Sequence, residues 1–307
     1  IFNLFCRYIY LKAIYKILIL LKRYIKKCNA SDNINKKGKI MSEVISEINE
    51  SGIMIVKLNR PESLNSLNYG LVTGVIEAFD EAASNEKVRA VILTGEGRGF
   101  CSGADLSGGG WPTEPEWSTG EISAKNMEFY LNPMIKKIVN CPKPVVNAIN
   151  GIAAGGGVGL ALSGDILIAA KSAKFKLVFG KQLGIISDVG ASWFVPKLIS
   201  RARANALALL GEDLHADQAE DWGLIWKTYD DDSLMDEAMR IAIQISDSAI
   251  EGLKACVHAH DNATNVSLDE QLEYEIKTQR VLCDEPAFKE GVLAFLEKRK
   301  PNFRNLK

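Results

Sequence analysis

Histidine is scarce in this sequence. The three residues, His215, His258 and His260, all lie far along the chain from Cys101, so a local Cys–His nucleophile pair has no support. The six cysteines (Cys6, Cys28, Cys101, Cys141, Cys256, Cys283) include no C-x-x-C. No spacing suggests a zinc site or a disulfide framework, so no metal is expected and a reduced, cytoplasmic setting fits. Neither G-x-x-x-x-G-K-[ST] nor G-x-G-x-x-G occurs, so a phosphate-cradling nucleotide site is not expected either. Long uncharged apolar runs are also missing. Arg7, Lys12, Lys16 and Lys22 interrupt the apolar opening before any stretch reaches the roughly 18 residues of a membrane span, so no membrane partner is expected.

Charge is present but uneven. Residues 1–40 hold ten Lys or Arg against one acid, Asp32, a net charge of +9, so the remainder carries −10 within a whole-chain charge of −1. An acidic folded part argues against nucleic acid as a partner. A basic amphipathic opening can serve as an organelle transit peptide or an interfacial anchor. The expectation is simpler: the fold begins at Met41 ("MSEVISEI") and residues 1–40 take no part in it.

Beyond Met41 the hydrophobic pattern alternates in kind. Residues 52–61 read as a β-branched strand stopped by Pro61, and 68–86 as a helix with Leu71, Val75, Ile76, Phe79 and Ala82 on one face. A buried strand follows at 89–100, a long helix at 120–141 and a second buried strand at 143–157. A helix is expected from Gly159, then strands at 165–170 and near Phe175, and after residue 200 the chain reads as almost wholly helical. Strands and helices in alternation predict an α/β fold with a parallel core. The expected parts are an α/β core at 41–235 and a helical region at 236–307.

Two segments share one design. "AVILTG" runs into "EGRGFCSGADL" (96–106), and "PVVNAING" into "IAAGGGVGL" (152–160). Small residues where a strand meets a helix leave backbone N–H groups open to a ligand. Two such groups from separate loops make an oxyanion hole. The competing use of the same glycines is close helix–strand packing.

Taken together, "LNRPESLNSLN", "GFCSGADL", "PKPVVNAINGIAAGGG", "GDILIAAKSAKF" and "FLEKRKPNF" resemble the crotonase (enoyl-CoA hydratase/isomerase) superfamily, in order, from about residue 44 to 304. The resemblance implies a core spiral of ββα turns with a helical C-terminal trimerisation region. It implies an acyl-CoA thioester as substrate, a homotrimer or homohexamer, and no cofactor beyond the coenzyme A that the substrate carries. The oxyanion donors would be the N–H groups of Ala104 and Gly156, with Ser63, Asn65, Ser102, Gly103, Asp105, Leu106 and Gly155 about the substrate.

Hydratases of the family add two glutamates, at positions that here hold Gly159 and Gly180. Hydration by that route is therefore not expected. The acid on offer is Asp188, in "LGIISDVGASWFVP". It stands where isomerases of the family keep an aspartate beside the acyl α-carbon; the competing reading is a helix N-cap. The surrounding sequence is most similar to the ring-1,2-epoxyphenylacetyl-CoA isomerase branch, apart from one residue inserted near Gln182 and Ser187 in place of proline. The expected function is acyl-CoA isomerisation; thioester hydrolysis, a hydratase-like activity and a non-catalytic CoA- or RNA-binding role are the alternatives. Trp111 and Trp117 either shape an aromatic-sized acyl pocket or belong to a surface loop. Lys298, Arg299 and Lys300 either meet CoA phosphates or simply suit a helix C-terminus.

Overall fold

Residues 90–95, AVILTG, are six consecutive buried positions. Such a run suits a strand covered on both faces. In the computed structural model, which describes residues 42–304 and 306, it is β3, near the middle of a six-stranded sheet. The elements run β1 (Val44–Ile48), β2 (Ile53–Leu58), α1 (Tyr69–Ser84), β3 (Ala90–Gly95), β4 (Gly99–Cys101), α2 (Thr119–Asn126) and α3 (Asn132–Val139). Next come β5 (Val145–Ile149), β6 (Ile152–Ala154), α4 (Gly156–Ala161), β7 (Ile166–Ala170) and β8 (Lys174–Lys176). The chain continues through α5 (Ala191–Leu210), β9 (Asp213–His215), α6 (Ala216–Trp222) and β10 (Lys227–Tyr229). It closes with α7 (Leu234–Ser246), α8 (Ile250–Ala263), α9 (Leu268–Leu282) and α10 (Pro286–Leu296).

The large sheet has the order β1-β2-β3-β5-β7-β10, and a second sheet the order β4-β6-β8-β9. All pairings are parallel except β1 with β2 and β8 with β9. Each of β3, β5 and β7 is followed within a few residues by a short strand of the second sheet. The core is thus a spiral of ββα turns, as the resemblance implies. The loops leaving β4 and β6 therefore emerge side by side. Among the described residues, no helix is long and apolar enough to cross a membrane.

Three departures from the sequence reading have physical causes. β9 and β10 interrupt the part expected to be helical; at three residues each they are too short to display a period of two. β1 was not expected as a strand, because only Val44 of its five residues is buried; its place comes from pairing with β2. The long helix at 120–141 is divided by a π turn, Met127–Leu131, in which Asn132 N–H reaches back to the Met127 carbonyl. Pro133 has no N–H to continue the regular ladder there. The expectation for residues 1–40 lies outside the described residues.

The helical region is tied to the core by a buried ion pair. Lys254 in α8 places its ammonium 2.9 and 3.0 Å from the two oxygens of Asp165, which also accepts the Val145 N–H at 2.8 Å. Lys254 is 4% exposed. Burial pushes the Asp165 pKa up, against the lysine that pulls it down. Removing one partner of such a pair strands the other. Lys254→Met is expected to cost about 3–5 kcal/mol of unfolding free energy by urea titration.

Candidate active site

The first side of the site is the loop after β4. Leu67 N–H donates to the Gly103 carbonyl at 2.7 Å and Asp105 N–H to the Leu67 carbonyl at 2.9 Å, a parallel bridge centred on Ala104. A bridge of this kind uses the groups on either side of Ala104 and turns its own N–H the other way. Among the described residues no hydrogen bond takes that N–H, and Ala104 is exposed. Asp105 anchors the loop. Its carboxylate accepts from Ser107 and from Arg60 Nη2 at 2.9 Å, and these bonds, Ser107 first, lower its pKa to about 2. An anion held so firmly is a poor proton acceptor. Arg60 also holds the Ser66 carbonyl at 2.7 Å.

Ser63 and Ser102 are stitched together, with Ser102 Oγ donating to the Ser63 carbonyl at 2.9 Å. Asn65 is wholly buried, and its carboxamide accepts from Arg60 N–H and donates to the Glu96 and Gly99 carbonyls. Its side chain therefore orders the turn from within. Leu106, 80% exposed, lies at the open edge of the loop.

The second side is the Gly155–Gly156 corner at the start of α4. Gly156 is the first helical residue, so its N–H has no partner within the helix. The two sides meet directly. A Cβ placed on Gly103, whose φ is +91°, would lie 2.7 Å from the Ala154 carbonyl oxygen and 3.3 Å from the Gly156 nitrogen. Only glycine allows this approach. At the other end of α4, Asn147 donates from β5 to the Leu160 and Ala161 carbonyls at 3.1 and 2.9 Å.

Asp188 completes the group. A Cβ on Gly156 would lie 3.5 Å from Asp188 Oδ1, so the carboxylate stands beside the corner. It is half-buried, and desolvation pushes its pKa up to about 6. The N-cap reading fails here: Gly190 occupies the cap of α5, and no side chain bonds the helix N-terminus. The residue after Asp188 is unexpected. Val189 has φ +51°, a backbone region unsuited to a β-branched side chain, at a cost of about 1–3 kcal/mol.

Packing of the chain on itself explains two of the clustered glycines. A Cβ on Gly157 would strike the Cys101 carbonyl, and one on Gly159 the Val189 carbonyl. Gly159 thus has no room for any side chain. Gly180, exposed on the Phe179–Leu183 turn, has room. Cys101 is fully buried, and burial raises its thiol to about 12, which leaves it inert. His258 and His260 are exposed on α8, and His215 stands at the N-cap position of α6 without a side-chain bond to the helix. Trp111 joins an aromatic group with Tyr69 and Tyr130, ring centroids 6.2 and 5.9 Å away, whereas Trp117 stacks under Lys125. Residue-by-residue reading singled out none of Arg60, Asn147, Tyr69, Tyr130 or Val189. For Asn147 a signal existed: a polar residue inside the apolar strand "PVVNAI".

A glycine-lined corner with two open N–H groups beside a half-buried carboxylate suits chemistry on an activated carbonyl. Comparison with known proteins agrees. The family model for enoyl-CoA hydratase/isomerase matches residues 48–306, and the chain belongs to that family. It is 42% identical over 265 residues to the 1,2-epoxyphenylacetyl-CoA isomerase of Escherichia coli K12, covering 86% of this chain and 99% of that protein. It is 36% identical to a probable enoyl-CoA hydratase of Rhodobacter capsulatus, over 84% of this chain and 96% of that one. Among solved structures, a probable enoyl-CoA hydratase/isomerase from Mycobacterium abscessus superposes with a TM-score of 0.78. That protein is 30% identical, over 87% of this chain and all of its own length.

Proposed function

We propose that this protein is an acyl-CoA isomerase with one catalytic carboxylate. The observation that carries the reading is the pairing of Asp188, pKa about 6, with Gly156, while Gly159, one of the two positions where hydratases of the family carry a glutamate, has no room for a side chain. The Ala104 and Gly156 N–H groups hold the thioester oxygen. Asp188 takes a proton from C2 of a 3-enoyl thioester, and the electron pair moves onto the carbonyl oxygen as a dienolate. Each oxyanion donor is worth roughly 3–4 kcal/mol to that species. Asp188 then returns the proton at C4, leaving the double bond at C2–C3. No electrons are gained or lost overall, and coenzyme A enters only as part of the substrate. The name of the 42% identical relative supports extending the same chemistry to a ring epoxide. The hydratase names among other relatives favour the alternative, water addition.

The two readings separate on a small panel of 3-enoyl, 2-enoyl and ring-epoxide thioesters analysed by mass spectrometry. Isomerisation gives a product of unchanged mass that separates from the substrate by chromatography; hydration of crotonyl-CoA adds one water and would overturn the proposal. The base must be ionised to act. Turnover is therefore expected to rise with pH through about 6 and then level off.

The same reading proposes a trimer or a dimer of trimers. Leu272 and Ile276 of α9 and Val292, Phe295 and Leu296 of α10 are exposed apolar residues that a partner copy would cover. Light scattering at micromolar concentration is expected to show at least three chains; a stable monomer refutes it.

A further inference from the structure

The turn that carries Asp188 contains a residue ill suited to it. Ala191 N–H closes on the Asp188 carbonyl at 2.9 Å, and the two central residues, Val189 and Gly190, have φ of +51° and +82°. That is a turn of the I′ kind, which favours asparagine and glycine. Valine is nevertheless there, and it is 2% exposed.

Its surroundings show what holds it. Val189 Cγ2 lies 2.8 Å from where a Cβ on Gly156 would be, and the Val189 carbonyl presses on Gly159, which any side chain would displace. The same vacant Cβ position on Gly156 is 3.5 Å from Asp188 Oδ1. The valine side chain and the carboxylate thus flank the same bare face of Gly156, and two glycines admit the turn that carries them. A glycine at 189 would relax the backbone but open a gap against Gly156, on the face that the carboxylate shares.

We propose that Val189 is a positioning residue, held left-handed between Gly156 and Gly159, that fixes the Asp188 carboxylate relative to the Gly156 N–H. The inference rests on Asp188 being the base, and the test separates the two. Val189→Gly and Val189→Asn both suit the turn, so at least one is expected to fold with an unchanged circular dichroism spectrum. In 3-enoyl thioester isomerisation, kcat is expected to fall about tenfold or more, as small misplacements of a reacting group do. KM should stay within about twofold, because uniform binding is untouched. In an Asp188→Asn background the same substitutions should cause no further loss, since they act through that carboxylate.

A purely structural valine predicts otherwise: folded variants with kcat within about twofold of the parent, or an equal loss in both backgrounds. Either result overturns the inference alone, provided Asp188→Asn is itself reduced to a measurable residual rate, about 10²–10⁴-fold below the parent. Normal turnover by Asp188→Asn overturns the base assignment and takes this inference with it.

Discussion

Asp188→Asn is expected to remove turnover and stabilise the protein at the same time. Loss of a general base costs about 10²–10⁴ in rate, while binding of the thioester through Ala104 and Gly156 should persist. The stability effect follows from burial. The Asp188 pKa rises from its ordinary 3.8 to about 6 because the folded site penalises the charged form. A raised carboxylate pKa contributes stability below about pH 4, and that contribution is lost as pH rises through about 6. At pH 7 the parent therefore carries the penalty in full. Two pKa units correspond to about 3 kcal/mol, which solvent reaching a half-buried group reduces to about 1–2 kcal/mol. Asparagine removes the charge, so the variant should melt several degrees higher at pH 7 and close to the parent at pH 4. Calorimetry at both values, beside the isomerase assay, checks this. A variant with normal turnover and an unchanged melting temperature would leave Asp188 without a role.

The second large effect belongs to Gly159. The sequence resemblance makes Gly159→Glu the obvious attempt to restore a hydratase carboxylate. The structure argues that it will damage the fold instead. Even a methyl group at 159 collides with the Val189 carbonyl and comes within 3.1 Å of the Ala191 nitrogen. These are backbone atoms of a tight turn, so relief requires the whole Asp188–Ala191 segment to move. Gly159→Ala is expected to cost about 3 kcal/mol, at the upper end for overpacking, and Gly159→Glu more. Isomerase activity should fall with it, because the displaced turn carries Asp188. Urea unfolding and product analysis with crotonyl-CoA test both halves. A stable Gly159→Glu protein that hydrates crotonyl-CoA would show that the turn yields easily.

Much of this was legible in the chain before its structure, for reasons that differ by element. "GFCSGADL" and "NGIAAGGG" are local patterns, so the corners at Ala104 and Gly156 could be marked residue by residue. Their contact through Gly103 could not, because it joins segments some fifty residues apart. Asp188 was found by resemblance, its own surroundings being equally consistent with a cap. Arg60 and Asp105 form a pair across 45 positions, and no spacing rule connects them. β9 and β10 escaped notice because three residues hold too little pattern. Val189 was hidden for a deeper reason. Sequence propensities favour the opposite backbone for valine, so its left-handed turn runs against the cue that would identify it.

The collision at Gly159 also couples two positions some thirty residues apart in the chain. A glutamate at 159 and the present turn at residues 188–191 exclude one another sterically. Neither position is then free to change alone: a side chain at 159 requires a different turn, and the present turn requires a bare backbone opposite it. Substitutions at 159 should therefore be tolerated only alongside changes in the turn.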